Sequence, residues 1–220
     1  IDQGSDTENV SNLKILSGNS KIKIFFLKKN LGFPGGVNYA ISQAKGDFYV
    51  CINNDVEVKL GWLDYLYESI SSNNSIGAAC SNIIENGQEV VGNSRYLKHI
   101  HGGSMIISKV AWEIVGNFDS KNFGPCYGEE LDWSYRARNI GFKLVKSKKS
   151  VVFHAAGITA ERCLPKNKSL QYRIYHRVLF RFFNYKYNDW VSLNTLRDLY
   201  HEIKNRQAWF CLLYTSPSPR

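Results

Sequence analysis

The sequence predicts an α/β domain through about residue 157, followed by a helical extension over 158–210. Three observations carry this. Short apolar runs alternate with helix-period stretches through the first 155 residues, a pattern foreign to all-β and all-α chains. One run, Phe48-Tyr49-Val50-Cys51-Ile52, is continuously apolar, as in a strand covered on both faces. Beyond Pro165 the short runs give way to long stretches rich in Tyr, Phe and Arg.

The elements follow in order. Residues 22–27 read as a strand and 37–45 as a helix closed by Gly46. The apolar run 48–52 is the next strand, 62–71 a helix, 76–81 a strand and 104–107 another. Residues 109–115 form a short helix stopped by Gly116, and 129–139 a helix followed by Gly141. Residues 142–146 and 151–154 complete the strands; 169–187 and 192–209 read as the two long helices.

Composition narrows the class. At 44% hydrophobic and 21% charged residues, the 220-residue chain is globular and long enough to bury a core without disulfides or metals. Its longest apolar stretches, 24–27 and 178–183, fall far short of the ~20 residues that span a bilayer. The first residues lack both a leader pattern and an initiator Met, and read as the middle of a longer protein. Residues 211–220, Cys211-Leu212-Leu213-Tyr214-Thr215-Ser216-Pro217-Ser218-Pro219-Arg220, look like the translation of a sequencing-library adaptor and are set aside. The remaining cysteines, at 51, 80, 126 and 163, contain no C-x-x-C pair, which fits reduced thiols and a cytoplasmic location. Much of the net charge of +9 sits in residues 161–210, where ten Lys or Arg face four Asp or Glu. Such a segment suits a phosphate-rich ligand, an anionic membrane surface or nucleic acid, and equally a solvated helix face.

Four features carry candidate chemistry. Asn30-Leu31-Gly32-Phe33-Pro34-Gly35-Gly36-Val37-Asn38 joins a predicted strand to a helix, where backbone amides can face an anion, although such turns are common without a ligand. The strand 48–52 ends in Asn53-Asn54-Asp55, at the carboxyl end where ligands of open α/β sheets collect; a turn or cap uses the same residues. Glu129, Glu130 and Asp132 open a helix beside Tyr127 and Trp133. Dipole compensation and an i,i+4 pair from Asp132 to Arg136 account for two of these acids, and a third could serve as a general base. His154 ends the strand Val151-Val152-Phe153; a lone His is more often structural than ligating.

In order and spacing these features resemble the family-2 glycosyltransferases with the GT-A fold, in a branch similar to rhamnosyltransferases. The resemblance spans residues 1–157 and adds Gly61-Trp62-Leu63, Gly102-Gly103 and Gly116-Asn117-Phe118-Asp119 to the motifs above. It implies a mixed sheet flanked by helices and an inverting transfer of sugar from a nucleotide-diphosphate-sugar to a glycan or lipid-linked acceptor, as in cell-surface polysaccharide synthesis. Asp55, with His154, would hold Mg²⁺ or Mn²⁺, and Glu130 would be the base. Asp2, Asn30, Gly32, Gly35, Gly36, Asn38, Asn53 and Asn54 would line the nucleotide-sugar site; Gly102, Gly103, Glu129, Asp132 and Trp133 would lie on the acceptor side.

The sequence departs from the family pattern at two positions, with Asn53 where Asp leads the metal triplet and Glu130 where Asp is the usual base. Asp2-Gln3-Gly4-Ser5-Asp6 resembles the end of the family's second strand, so the first strands are expected to be absent and the sheet to have a gap between 22–27 and 48–52. Residues 1–220 alone are therefore expected to be unstable and inactive. The segment 172–183 resembles the family's post-catalytic helix, expected to pack through Ile174, Val178 and Phe182 with its basic residues outward or against an anionic membrane. A non-catalytic binding module of the same fold is the rival reading, disfavoured by Asp55, Glu130 and His154 occurring together. A nucleic-acid-binding protein is the second rival, disfavoured because no recognisable binding motif accompanies the charge, and no nucleic-acid partner is expected.

Overall fold

The computed structural model describes residues 1–155 together with 173, 175–177, 179 and 180. The expected helix over 192–209, the boundary at 157 and the tail at 211–220 lie outside the described residues.

Among the described residues the chain runs α1 (Thr7–Leu16), α2 (Gly32–Gln43), β1 (Phe48–Ile52), β2 (Val56–Val58), α3 (Trp62–Ser71), β3 (Ile76–Glu85), β4 (Gln88–Glu89), β5 (Ser104–Ser108), α4 (Lys109–Val115), α5 (Ser120–Phe123), α6 (Glu129–Asn139) and β6 (Lys143–His154). Five strands form a mixed sheet in the order β1-β5-β3-β6-β2, and β4 hairpins onto β3. Only β3 and β6 are parallel; the other pairs are antiparallel. This is the α/β architecture expected.

Local chemistry explains the boundaries that match. Gly61 and Gly128, both with positive φ, admit α3 and α6, while the Ser108 hydroxyl caps α4 by accepting from the Ala111 amide at 3.1 Å. Gly116 ends α4 with φ 86. The two faces of the sheet then receive different layers. Leu66 and Ile70 of α3 cover Ala79, Ile106 and Val145 on one side. On the other, Ala78, Cys80, Met105 and Ile107 pack with Ala111, Trp112, Phe118 and Trp133. Alternation along β3 and β5 divides these residues between the faces.

Four expectations need correction. Residues 22–27 make no strand: their only sheet-like contact is an isolated bridge from Phe26 to Asp2, in which the Asp2 amide donates to Phe25 O and the Leu27 amide to Asp2 O, each at 2.9 Å. One bridge does not make a ladder. The run 48–52 is an edge strand among the described residues, with Val50 and Ile52 about two-fifths exposed rather than covered on both faces. The two expected strands 142–146 and 151–154 are one strand, β6, whose register against β3 jumps from Ser81↔Ser147 to Asn82↔Val151. Finally, α1 was not expected; Asp6 caps it through the Asn9 amide at 2.9 Å, but it buries no residue and so carries no apolar stripe.

The helical residues 173, 175–177, 179 and 180 lie against the body through Tyr175, Leu179 and Phe180, which meet Phe123, Leu131 and Tyr135. Their His176 is 1% exposed and donates from Nδ1 to Cys126 O at 3.0 Å. Ile174, Val178 and Phe182, the expected packing residues, lie outside the described residues, and the face that is described runs through neighbouring positions. Arg173 points outward over the Tyr127 ring, 4.7 Å from its centroid.

Candidate active site

Strand ends and one tight turn assemble the site. β1 delivers Asn53, Asn54 and Asp55 at its carboxyl end, and β6 delivers His154 at its own. Antiparallel pairing of β2 with β6 sets Val56 opposite His154, which brings the preceding Asp55 to the imidazole. His154 Nε2 lies 3.1 Å from Asp55 Oδ1, and 3.5 Å from the Asn53 side-chain nitrogen. Its Nδ1 donates to Glu85 Oε1 at 2.7 Å. Both Asp55 and His154 side chains are only 10% exposed. The Asn53 amide donates to Gly103 O at 3.1 Å, tying β1 to the turn at 101–103. Asn54 is exposed on the loop after β1.

That turn also borders the helix that carries the acids. A Cβ added at Gly102 would lie 3.2 Å from the Phe33 ring, close enough to push it by a few tenths of an ångström, and in ordinary contact, 3.8 Å, with Glu130 Oε1. The other carboxyl oxygen of Glu130, Oε2, is buried and accepts no hydrogen bond among the described residues. Glu129 beside it is 3% exposed, and burial, with the neighbouring Glu130 second, holds its carboxyl well above the ordinary carboxylate range. Burial depresses the His101 imidazole, while Glu130 and then Glu85 oppose that shift. Both carboxylates therefore reach the same turn. Gly103 closes it by donating its amide to His101 Nδ1 at 3.1 Å.

The donor set fits a divalent cation. An aspartate carboxylate and an imidazole converge, and the second imidazole nitrogen is tied to a further carboxylate, as metal-binding histidines commonly are. Among the described residues no group of three His, Cys, Asp or Glu is arranged to hold a metal alone. Diphosphate oxygens would have to complete the coordination of Mg²⁺ or Mn²⁺.

The glycine turn does not form the open anion cradle expected. The Leu31 amide donates to Gln3 Oε1 and the Gly32 amide to Asn30 Oδ1, each at 2.8 Å, the Phe33 amide donates to Pro125 O at 2.7 Å, and Pro34 has no N–H. The first amides of α2 are thus spent on protein. Gly32, at φ 70, lets the Pro125 backbone approach; Gly36 makes room for the Gln3 side chain, and Gly35 for Leu31. Asn38 donates to Phe118 O at 2.8 Å and accepts from the Phe118 amide at 3.0 Å, which commits its side chain to the fold. Asp2 is buried, and its carboxylate accepts from the Gly4 and Ser5 amides at 3.4 and 3.3 Å.

Two acceptor-side expectations are also corrected. Asp132 is fully buried and pairs with Arg136 at 2.9 Å, whose other nitrogens donate to Val115 O and Asn117 O. Trp133 is fully buried as well, stacks on Trp112 and donates from Nε1 to Gly116 O at 2.9 Å. Both anchor α6 to the end of α4. Glu85 and His101 were not singled out in the sequence, although an Asn86-Gly87 turn signal after an apolar strand marks Glu85 as a strand terminus.

Residues 1–126 match the family described as Glycosyl transferase family 2. The chain is 26% identical over 148 residues to the uncharacterized proteins Rv1525 of Mycobacterium tuberculosis and Mb1552 of Mycobacterium bovis; the match covers 60% of this chain and 57% of each of them. The chain thus spans little more than half the length of these curated relatives. Its fold is similar to that of GalNAc-T7 solved with UDP, GalNAc and Mn²⁺, with a TM-score of 0.64 and 17% identity over 93% of this chain and 47% of that one. Staphylococcus aureus TarS 1–349 with UDP-GlcNAc also gives 0.64, at 12% identity over 91% and 62% of the two chains. The mannosyltransferase PcManGT of Pyrobaculum calidifontis, with GDP-Man and Mn²⁺, gives 0.58 at 15% identity over 81% and 52%. At such identities the likeness is one of fold, and that fold is GT-A-like.

Proposed function

Since this chain belongs to glycosyl transferase family 2, we propose that it transfers a sugar, with inversion, from a nucleotide-diphosphate-sugar to a hydroxyl of a glycan or lipid-linked acceptor. The observation that carries the reading is the unpartnered, buried Oε2 of Glu130, set across the turn at 101–103 from the pair Asp55 and His154. A carboxylate oxygen with no hydrogen-bond donor among the described residues is open to an acceptor hydroxyl. Glu130 would remove the proton from the acceptor hydroxyl as that oxygen attacks the anomeric carbon, opposite the departing diphosphate. A base so placed contributes roughly 10²- to 10⁴-fold.

Asp55 and His154 would hold Mg²⁺ or Mn²⁺, which neutralises charge developing on the leaving diphosphate. Asn53, 3.5 Å from His154, would face the donor's ribose or phosphates, together with Asn54. Gly102 would keep the passage between Phe33 and Glu130 open for the acceptor. The exposed Arg173 would contribute to any contact with an anionic membrane or lipid diphosphate, on the cytoplasmic side.

The test is turnover of a panel of nucleotide sugars by the purified protein with Mn²⁺ or Mg²⁺, beside Asp55→Ala and Glu130→Gln. Metal-dependent turnover reduced at least about 100-fold in both variants is expected, with the product anomer opposite to the donor's. Donor binding without turnover, unchanged by Glu130→Gln when acceptors are supplied, would make the protein a binding module instead.

A further inference from the structure

We infer that Glu85 is a positioning residue that fixes the tautomer and orientation of His154, so that its Nε2 lone pair is presented beside Asp55; this rests on the reading of Asp55 and His154 as the cation pair. The argument begins with hydrogen-bond valence. An ionised carboxylate can only accept, and a neutral imidazole has one N–H to give. His154 lies between two carboxylates, with Glu85 at 2.7 Å from Nδ1 and Asp55 at 3.1 Å from Nε2. The shorter bond takes the proton. In the neutral ring Nδ1–H donates to Glu85, and the Nε2 lone pair is left beside Asp55 Oδ1 at 3.1 Å, the two donors a cation would draw on.

The surroundings hold Glu85 to this task. It is the last residue of β3, and the chain reverses immediately at Asn86 and Gly87, both with positive φ, before β4 pairs back. Its carboxylate cannot drift along an extended strand. On its other flank stands His101, whose Nδ1 accepts from the Gly103 amide at 3.1 Å and whose N–H must therefore sit on Nε2. That Nε2 points to Glu85 Oε1 from 3.9 Å, and the His101 and His154 rings meet edge to face at 6.0 Å. Glu85 Oε1 thus bonds one imidazole, His154, and has the second, His101, nearby beyond hydrogen-bond range. Gly103 returns the link to β1 through its carbonyl, which accepts the Asn53 amide. The ends of β1, β3 and β6 are joined through a single carboxylate and one turn.

The test replaces the acceptor while keeping the bulk, with Glu85→Leu, and keeps an acceptor while removing the charge, with Glu85→Gln. Two readouts are taken on the purified protein: the His154 tautomer from ¹⁵N imidazole shifts without metal, and Mn²⁺ affinity by EPR titration with a nucleoside diphosphate supplied. In the unsubstituted protein the neutral ring carries its proton on Nδ1. In Glu85→Leu the proton moves to Nε2, toward Asp55, and Mn²⁺ binds about 10- to 100-fold more weakly, with Glu85→Gln between. An unmoved tautomer with Mn²⁺ affinity unchanged in both variants overturns the inference. If Glu85→Leu does not fold, Glu85→Gln decides by the same two readouts. Mn²⁺ binding that is absent, or indifferent to Asp55→Ala, counts against the cation reading instead; the tautomer then decides the role of Glu85.

Discussion

Asn38 holds the backbone of Phe118 by a matched pair of hydrogen bonds, donating to its carbonyl at 2.8 Å and accepting from its amide at 3.0 Å. The two residues are 80 apart in sequence, and the pair ties α2 to the segment that leads into α5 and the cis Gly124–Pro125 bond. Asn38→Ala would orphan the Phe118 amide, while the Phe118 carbonyl keeps the Ser120 amide at 2.9 Å; the Phe118 ring is 2% exposed beside Trp112 and Trp133. The expected loss is about 1–3 kcal/mol, from one unsatisfied buried donor, measured by urea unfolding. Asn38→Asp keeps the acceptor only and should fall between.

Glycines at 32 and 36 look alike in the sequence and differ in the structure. A Cβ at Gly32 would stand 2.4 Å from Pro125 O and on a φ of 70, a backbone clash with no side chain to move aside. Gly32→Ala should therefore displace the segment before α6 and cost at least ~3 kcal/mol. At Gly36 the obstacle is the end of the Gln3 side chain, 2.6 Å away, which can move aside only by giving up its bonds to the Leu31 amide and Gly32 O. Gly36→Ala should therefore cost about 1–2 kcal/mol, less than Gly32→Ala, because the obstacle is a side chain and not backbone. Thermal unfolding of the variants checks the order.

Glu129 gives the fold a pH dependence. In the unfolded chain its carboxyl ionises as pH rises through its ordinary value of 4.5, whereas burial makes the folded state keep the proton well above that. The stability this group allows is complete below pH 4.5 and is lost as pH rises toward the folded value. Glu129→Gln removes the loss. Its melting temperature should exceed that of the unsubstituted protein at pH 7–8 and match it near pH 4; equal offsets at both values would contradict the assignment.

The sequence was most legible where a local signal and a tertiary role coincide. α3, α4 and α6 begin and end as read because Gly61, Gly116 and Gly128 act through their own backbone geometry and Ser108 through a bond to an amide three residues on. Asp55, His154 and Glu130 could be singled out because strand ends and helix starts are where polar side chains gather. The glycine turn misled because close approach to a phosphate and to Pro125 demand the same residues. Asp132 and Trp133 misled because a motif does not reveal which side of a helix faces inward. Glu85 escaped notice because its importance lies in a neighbour 69 residues away, a distance that no local pattern encodes.

The register jump in β6 has a consequence for how the chain can vary. Three residues, 148–150, are inserted against β3 between Ser147 and Val151, and Ser150 is pinned there by a 2.8 Å contact with the Ser81 hydroxyl. Everything downstream inherits its phase from that count, since successive strand side chains point to opposite faces. A single deletion there would turn His154 through the sheet and leave Asp55 and Glu85 facing a neighbour of unrelated chemistry. The insertion acts as a spacer whose parity, rather than whose composition, is under constraint.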